Sequence, residues 1–311
     1  LAADNMIGYP EHYIGTTERH PLAYVAGVLV ERGWERARIG VEMDAHFFTA
    51  RCYAELVQRL PRATWHDATL LVNRVRIVKS PAEIACMREA GLLVERAMLA
   101  AIEAIGAGVR QCDVAATIYQ SAVSGTPDFG GDMPEGPWMP AGPRTSAPHL
   151  TWTDAPYRTG EATNLELNAV RHRYTTALAR TVAVGEPAPG LAALAPVVVE
   201  GMNAALDRAR AGVTCEEVEA AWRRVINAAG IEKASRIGYS IGIGYPGPSW
   251  NERTASFQPG DTTVLEPNMT FHMIPGIWME DWGFEVSETF RVTADGPPEV
   301  FSTVPRQLFV R

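Results

Sequence analysis

The chain has no excess and no cluster of basic residues. Its 28 Lys and Arg stand against 36 Asp and Glu, which gives a formal net charge of −8, and no basic run occurs. Nucleic acids and anionic membrane surfaces are bound by clustered positive charge. The sequence therefore predicts no nucleic-acid partner and no membrane partner, and it favours a small-molecule substrate.

Cysteine and long apolar runs are also lacking. The four cysteines lie far apart, without the short spacings of a zinc knuckle or a disulfide framework. No run approaches the roughly 18 apolar residues of a membrane helix, and no charged-then-apolar signal opens the chain. These absences favour a cytoplasmic protein.

What is present is a composition able to fill a large core. The chain has 311 residues, of which 47% are hydrophobic, enough for one large domain and a smaller one. The first part alternates between helix and strand, with helices predicted over 21–33 and 49–60, a strand over 38–43 and a strand-like run over 70–78. Residues 1–78 are therefore expected to form an α/β domain. Because the chain opens at Leu1 without an initiator Met, we expect this domain to be truncated.

A strong helix start follows at residues 78–83. Ser80 is a capping residue, Pro81 occupies the first helical position, and Glu83 completes a capping box. The helix is expected to run to about residue 105. Its predicted buried stripe consists of Ile84, Met87, Leu92, Val94, Met98 and Ile102.

The second domain, 79–311, mixes helices with antiparallel strands. Helices are predicted over 112–124, 191–210 and 214–229, the last with a capping box from Thr214 to Glu217. Strands are predicted over 163–169, 174–184, 262–273 and 283–293. A loop rich in Pro and Gly over 126–148 carries Trp138, and long ordered loops of this kind often serve function. The fold class is α+β.

Three segments resemble the creatinase, prolidase and aminopeptidase P family. They are 174–185 (YTTALARTVAVG), 236–244 (RIGYSIGIG) and 264–276 (VLEPNMTFHMIPG), in the family's order and spacing. The resemblance implies the pita-bread fold, a curved antiparallel sheet backed by helices, preceded by a smaller α/β domain. It also implies a homodimer.

Metal-dependent members of this family hold a dinuclear site with two Asp, one His and two Glu. In this sequence those five positions fall on Glu166, Ala177, Tyr239, Ile274 and Ser287. One carboxylate among five positions does not supply the ligands for two divalent ions. The resemblance therefore predicts a chain with no metal and no other cofactor.

The metal-free branches of the family are the better comparison. The acid/base histidine of creatinase falls on His149, whereas its two guanidinium-binding glutamates fall on Ala179 and Ile274, which disfavours creatine as substrate. Ectoine hydrolases resemble the chain over nearly its whole length, although Thr175–Ala177 and Met133–Pro137 differ from that branch. The matching segments are 7–10 (IGYP), 38–44 (RIGVEMD), 146–153 (SAPHLTWT), 235–246 (SRIGYSIGIGYP), 251–254 (NERT) and 269–282 (MTFHMIPGIWMEDW).

A cyclic amidine such as ectoine is protonated at neutral pH and carries its own electron sink, so its hydrolysis needs no Lewis acid. Glu166 would attack the amidine carbon or activate water, and His149 would move the proton to the departing nitrogen. Tryptophans would surround the cation, and Arg253 would clamp a carboxylate. The predicted substrate-binding residues are Trp138, Tyr239, Arg253, His272 and Glu285.

The sequence thus predicts a metal-independent hydrolase that opens ectoine or 5-hydroxyectoine to an N-acetyl-diaminobutyrate. A hydrolase of another amidine or amide and a catalytically inactive pita-bread binding module stay open, and a lyase for a sulfonium compound is disfavoured. A solvent-facing Glu166 and a loop-capping His149 are the competing structural interpretations. Convergence of these two side chains on one site would separate an enzyme from an inactive module.

Overall fold

The computed structural model describes residues 2–3, 6–243 and 250–311. The chain divides into two compact units, Leu1–Val72 and Asn73–Arg311. The predicted domain boundary between residues 78 and 79 stays a prediction. Residues 244–246, the end of the motif at 235–246, lie outside the described residues.

The smaller unit is built on two parallel strands. Its elements are α1 (Pro21–Glu31), β1 (Arg38–Val41), α2 (Ala50–Arg59) and β2 (Thr64–Asp67), and β1 pairs with β2 from Arg38 opposite Thr64 to Val41 opposite Asp67. Both helices have side-chain caps, since the His20 ring accepts from Leu22 N–H and the Thr49 hydroxyl accepts from Cys52 N–H. A small core of Ala26, Leu56 and Leu60 holds the unit together.

The strand predicted over 70–78 is wrong. This run contains the short helix α3 (Leu71–Arg76), and the second strand is β2. Asp67 ends β2 because its Oδ1 accepts from the backbone N–H of Thr69 at 2.8 Å, and Leu70 then takes a left-handed backbone conformation with φ of 62°. A short apolar run does not by itself separate helix from strand, so the turn chemistry decides.

The first long helix of the larger unit begins where its capping box predicts. In α4 (Pro81–Ala104), Glu83 Oε2 accepts from Ser80 N–H at 2.7 Å while the Ser80 hydroxyl accepts from Glu83 N–H. Leu92 is a correction to the predicted stripe, because it is 51% exposed whereas Leu93 is fully buried. At about 100° per residue, Leu92 points away from the stripe formed by Met87 and Val94.

Three further helices complete the helical layer: α5 (Gln111–Ser124), α6 (Pro189–Arg208) and α7 (Cys215–Ala228). The pairs α4 with α5 and α6 with α7 pack against each other. The capping box predicted for α7 is confirmed, with Thr214 and Glu217 bonded reciprocally. By length and apolar composition alone α6 also qualifies as a membrane span. Its buried side chains, among them Leu191, Val198, Met202 and Leu206, pack in the core cluster, however, as those of a core helix do.

Among the residues that the structure describes, the strands of the larger unit are antiparallel apart from one short edge strand. A hairpin of β3 (Ala162–Arg171) and β4 (Tyr174–Ala183) is joined by β12 (Phe309–Val310), which runs parallel to β4. A five-stranded sheet has the order β11–β10–β7–β5–β6, and β8 pairs with β9 in a hairpin. Their bounds are β5 (Gly238–Ile241), β6 (Asn251–Ser256), β7 (Thr270–Met273), β8 (Gly276–Trp278), β9 (Gly283–Glu285), β10 (Glu288–Arg291) and β11 (Glu299–Val300).

Two predicted strands are shorter than expected. Of 262–273 only Thr270–Met273 is a strand, and 283–293 divides into β9 and β10. Asp261 explains the first difference, because its carboxylate accepts from the N–H groups of Ser256 and Thr263 and forms a turn there. The division of the second run leaves Ser287 between two strands.

The side chains of β3 point alternately to its two faces, and this decides which of them reach the site. Leu165 and Leu167 pack into the core cluster that also holds residues of α4 and α5, so Glu166 projects to the opposite face. Ser287 N–H donates to Ala179 O at 3.0 Å and connects β4 to the start of β10. The site face therefore continues from β3 and β4 to the strands of the five-stranded sheet.

Candidate active site

Glu166 is a buried carboxylate without a hydrogen bond. Its residue is 1% exposed, and neither carboxylate oxygen has a hydrogen-bond partner among the described residues. The Nε2 atom of His149 lies 3.1 Å from Glu166 Oε2, an ion-pair contact that lacks the alignment of a hydrogen bond. The solvent-facing alternative for Glu166 is thus not what the structure shows, and the two predicted catalytic side chains converge.

His149 occupies an unusual backbone conformation. Its φ is 61°, the left-handed region that costs a non-glycine residue about 1–2 kcal/mol. The adjacent backbone is held by Met139 N–H, which donates to Leu150 O at 2.9 Å. Backbone strain of this kind concentrates at functional sites. Contact with the Glu166 carboxylate raises the pKa of His149, and partial burial opposes that rise.

Trp138 ties the long loop to the same strand. Its backbone N–H donates to Glu166 O at 3.1 Å, and its carbonyl accepts from Glu166 N–H at 2.9 Å. The Trp138 ring lies 5.2 Å from the His149 ring and 4.9 Å from the Trp250 ring. These aromatic faces border the carboxylate and form a wall suited to an organic cation.

The floor beside Glu166 is made of small side chains. Ala179 lies directly opposite Glu166 across the β3–β4 hairpin, and Ala177, opposite Asn168, lies two pairs further along on the same face. Both alanines are fully buried. Methyl groups at these positions offer no ligand and occupy little volume next to the carboxylate.

His272 lies at the centre of a chain of hydrogen bonds. Its Nδ1 is 3.2 Å from the Tyr239 hydroxyl and its Nε2 is 2.8 Å from the Ser287 hydroxyl. Trp250 Nε1–H donates to the Tyr239 oxygen at 3.0 Å, and Ala179 N–H donates to the Ser287 oxygen at 2.6 Å. Burial, with a smaller contribution from the charge of His149, lowers the pKa of His272 to about 3. His272 is therefore neutral at physiological pH.

Glu285 is a second buried carboxyl group. It is 4% exposed, and its backbone is fixed by Thr181, whose hydroxyl bonds both Glu285 N–H and Glu285 O at 2.9 Å. Burial raises the pKa of Glu285 well above its ordinary value, and the negative charge of Glu166 raises it further. Glu285 is thus electrostatically linked to Glu166.

Lys233 is the residue of this neighbourhood that the sequence did not reveal. It is 8% exposed, its Nζ donates to Gly276 O at 2.6 Å, and it lies 4.2 Å from the centre of the Trp278 ring. Gly276 stands opposite Glu285 in the β8–β9 hairpin. Burial lowers the pKa of Lys233 to about 8, and the charge of Glu285 opposes the shift. No sequence signal marks it, because Glu232 and Lys233 read as an ordinary solvated charge pair.

Arg253 is placed differently from the other predicted residues. It lies in β6 with an exposed side chain, and its backbone has φ of 61°. Its N–H donates to Asn251 Oδ1 at 2.8 Å. The carboxylate clamp predicted for Arg253 stays a prediction.

The residues at the five family ligand positions do not fit a dinuclear metal centre. Glu166 is the single carboxylate among them, and the hydroxyls of Tyr239 and Ser287 are already bonded to His272. Within residues 2–3, 6–243 and 250–311, no three His, Cys, Asp or Glu side chains come together as a metal-binding group.

Comparison with known proteins agrees with this fold. The model of metallopeptidase family M24 matches residues 85–294, and that of the creatinase/prolidase N-terminal domain matches residues 2–78. Among solved structures, dipeptidase PepE from Mycobacterium ulcerans superposes with a TM-score of 0.79 at 25% identity, covering 94% of this chain and 76% of that one. X-Pro aminopeptidase from Thermotoga maritima MSB8 shares the fold with a TM-score of 0.82 at 22% identity, covering 97% of this chain and 85% of that one.

Two relatives are similar over essentially the whole chain. The uncharacterized hydrolase/peptidase y4tM of Sinorhizobium fredii is 44% identical over 312 residues, which cover 100% of this chain and 79% of the relative. The ectoine hydrolase of Halomonas elongata is 40% identical over 316 residues, which cover 99% of this chain and 79% of the relative. The chain therefore belongs to metallopeptidase family M24, carries a creatinase/prolidase N-terminal domain, and is a hydrolase of that family.

Proposed function

We propose that this hydrolase opens the cyclic amidine ring of ectoine or 5-hydroxyectoine, without a metal ion, to give an N-acetyl-diaminobutyrate. The observation that carries the proposal is the Glu166 carboxylate, which is buried, lacks a hydrogen bond and lies 3.1 Å from His149. The relative from Halomonas elongata, an ectoine hydrolase, supports the choice of substrate.

A protonated amidine is the complement of such a carboxylate. The Glu166 carboxylate accepts no hydrogen bond among the described residues, and its ion-pair contact at 3.1 Å is with His149, whose side chain is largely exposed. An amidinium ion supplies a positive charge and an N–H donor to this carboxylate. The aromatic faces of Trp138 and Trp250 would cover the cation and exclude water.

Glu285 lies in electrostatic contact with Glu166. Burial and the negative charge of Glu166 raise the pKa of Glu285, because two neighbouring buried carboxylates do not both ionise readily. A cationic substrate at Glu166 would relieve the repulsion between the two groups.

The reaction consumes one water molecule and breaks one carbon–nitrogen bond. A new carbon–oxygen bond forms at the amidine carbon, either from Glu166 directly or from water that Glu166 deprotonates. The π electrons of the amidine move onto nitrogen, the ring C–N bond then breaks, and the departing nitrogen takes a proton from His149. In the direct route, water subsequently attacks the imidoyl carbon held on Glu166, the bond to Glu166 breaks, and the product leaves as the N-acetyl amide.

The convergence of His149 with Glu166 favours an enzyme over an inactive binding module. A module without catalysis gains nothing from a strained histidine held against a buried carboxylate that accepts no hydrogen bond. The same geometry also accommodates other cyclic amidines, so ectoine must be tested directly.

The test is turnover of ectoine by chelator-treated protein, followed as ring opening by proton NMR. Glu166→Gln keeps the shape of the side chain and removes its charge, and should abolish turnover. Glu161→Gln is the matched control, because Glu161 precedes β3 and makes a surface contact with Arg158 at 3.7 Å. Turnover that chelation removes, or that Glu166→Gln retains, would refute the mechanism, and absence of turnover in the unmodified protein would refute the substrate.

A further inference from the structure

The hydrogen-bond chain through His272 contains one more donor than it has acceptors for. Tyr239 and Ser287 each already accept an N–H, from Trp250 and Ala179 respectively. A neutral imidazole has one donor and one acceptor nitrogen. One of the two hydroxyls therefore donates to His272 and the other accepts from it.

The accepting hydroxyl keeps a proton that has no partner in the part of the chain that the structure describes. This conclusion does not depend on the protonation of His272, since an imidazolium would donate to both hydroxyls and leave two such protons. Tyr239 and Ser287 are the candidates. Both stand at positions where metal-dependent relatives are expected to hold a ligand.

Burial decides which way the hydrogen bonds through His272 run. Ser287 is fully buried, and buried donors are nearly always hydrogen-bonded, so its hydroxyl donates to Nε2 of His272. Nδ1–H of His272 then donates to Tyr239, which is only partly buried. The Tyr239 O–H is thereby left to point away from this series of hydrogen bonds.

The outgoing donor and the unpaired acceptor belong to one site. Glu166 has two oxygens without a hydrogen bond. Trp250, which donates to the Tyr239 oxygen, has its ring centre 4.9 Å from that of Trp138, and the Trp138 backbone pairs with Glu166 in both directions. The charge of Glu166 also raises the pKa of Tyr239, less than burial does. No direct hydrogen bond joins Tyr239 and Glu166 among the described residues. The outgoing donor and the acceptor therefore belong to the same neighbourhood, walled by Trp138 and Trp250.

We propose that the Tyr239 hydroxyl is a catalytic hydrogen-bond donor in the ring-opening reaction, and that Ser287 and His272 are positioning residues that orient it. This inference rests on the proposed amidine hydrolysis. It assigns to two hydroxyls and a neutral imidazole the place that metal ions take in relatives.

The chemistry of amidines makes this donor selective for the transition state. In the bound amidinium both nitrogens carry N–H, and their lone pairs are delocalised, so neither nitrogen accepts a hydrogen bond. Once oxygen adds to the amidine carbon, the nitrogens become amine-like and each gains a localised lone pair. The Tyr239 O–H then finds an acceptor that did not exist before. Interactions made only in the transition state raise kcat rather than lower KM.

The kinetic test compares two tyrosine variants on ectoine. Tyr239→Phe should lower kcat on the order of 100-fold with KM nearly unchanged, the usual effect of losing one preorganised donor. Tyr157→Phe is the matched control, because Tyr157 is 1% exposed and its hydroxyl has no hydrogen-bond partner among the described residues. A raised KM at unchanged kcat would make Tyr239 a ground-state binding group and would overturn the catalytic role.

The positioning roles are tested by rescue and by NMR. His272→Gln offers Tyr239 a donor and Ser287 an acceptor and should keep more of kcat than His272→Leu. In NMR spectra of protein labelled with 15N-histidine, the signals of His272 are those that are absent from the His272→Gln variant. These signals should show Nδ1 protonated and Nε2 unprotonated. Protonation at Nε2 would reverse the chain and overturn the inference. If ectoine is not turned over, the proposed function and the role of Tyr239 in it fail together, whereas a retained kcat in Tyr239→Phe defeats this inference alone.

Discussion

Replacing Lys233 by methionine should change how stability depends on pH. The ammonium is buried against Gly276 O and the Trp278 ring, and methionine keeps most of that packing while it removes the charge. Burial lowers the pKa of Lys233 from 10.5 to about 8. Since one pKa unit corresponds to about 1.4 kcal/mol, the shift amounts to about 3 kcal/mol.

The sign follows from proton binding. Between pH 8 and pH 10.5 the unfolded chain holds the Lys233 proton and the folded chain has released it, so the free energy of unfolding rises with pH. The rise of about 3 kcal/mol should be absent from Lys233→Met. At pH 7 the variant escapes this cost but loses the hydrogen bond to Gly276, worth about 1–3 kcal/mol. The two proteins should then be similar in stability at pH 7, and the variant less stable at high pH.

The assay is urea unfolding at a series of pH values from 7 upward. The same comparison in a Glu285→Gln background separates the contribution of the neighbouring carboxyl group, whose charge raises the pKa of Lys233. Lys79, which is also buried with a lowered pKa, is present in both and cancels. Parallel curves of unfolding free energy against pH would refute the assignment of a buried, charge-destabilised Lys233.

Three further predictions concern other parts of the larger unit. Arg180→Met should destabilise by about 3–5 kcal/mol in chemical denaturation, because it removes the buried partner of Glu288 at 2.6 Å and leaves that carboxylate with the partly exposed Arg306 at 3.3 Å; a loss under about 1 kcal/mol would contradict this. Leu93→Ala should lose about 2–5 kcal/mol of unfolding free energy, whereas the exposed neighbour Leu92→Ala should change it by less than about 0.5 kcal/mol. With its raised pKa, His149 should keep its proton above pH 6.5, so the alkaline fall of kcat should lie above that pH and disappear in His149→Gln; the same fall in the variant would assign it to another group.

The features of the fold that depend on neighbouring residues were predicted best from the sequence. The capping boxes at Ser80 and Thr214 involve residues three apart, and both helices begin where these predict. The errors arose where the local pattern was ambiguous. The run at 70–78 suits either helix or strand, and Leu92 competes with Leu93 for the buried side of α4.

The site could be predicted at the positions that the resemblance to the family assigns in this sequence. Glu166 and His149 were found through that resemblance, and the structure brings them together. The contact between Lys233 and Gly276 joins residues 43 positions apart, and the alignment of Ser287 with His272 depends on strand pairing across β7 and β10. Contacts of this kind exist only after folding and leave no mark on local composition.

The way the long loop is attached to β3 links substrate range to reactivity. Between residues 132 and 141 the loop pairs with β3 at three points, Asp132 with Val170, Trp138 with Glu166, and Ala141 with Thr163. The backbone of Glu166 is thus held by the same segment that supplies the aromatic wall. A change in the loop that reshapes the wall for a new substrate will also shift the carboxylate, so specificity and rate will change together when this enzyme diverges.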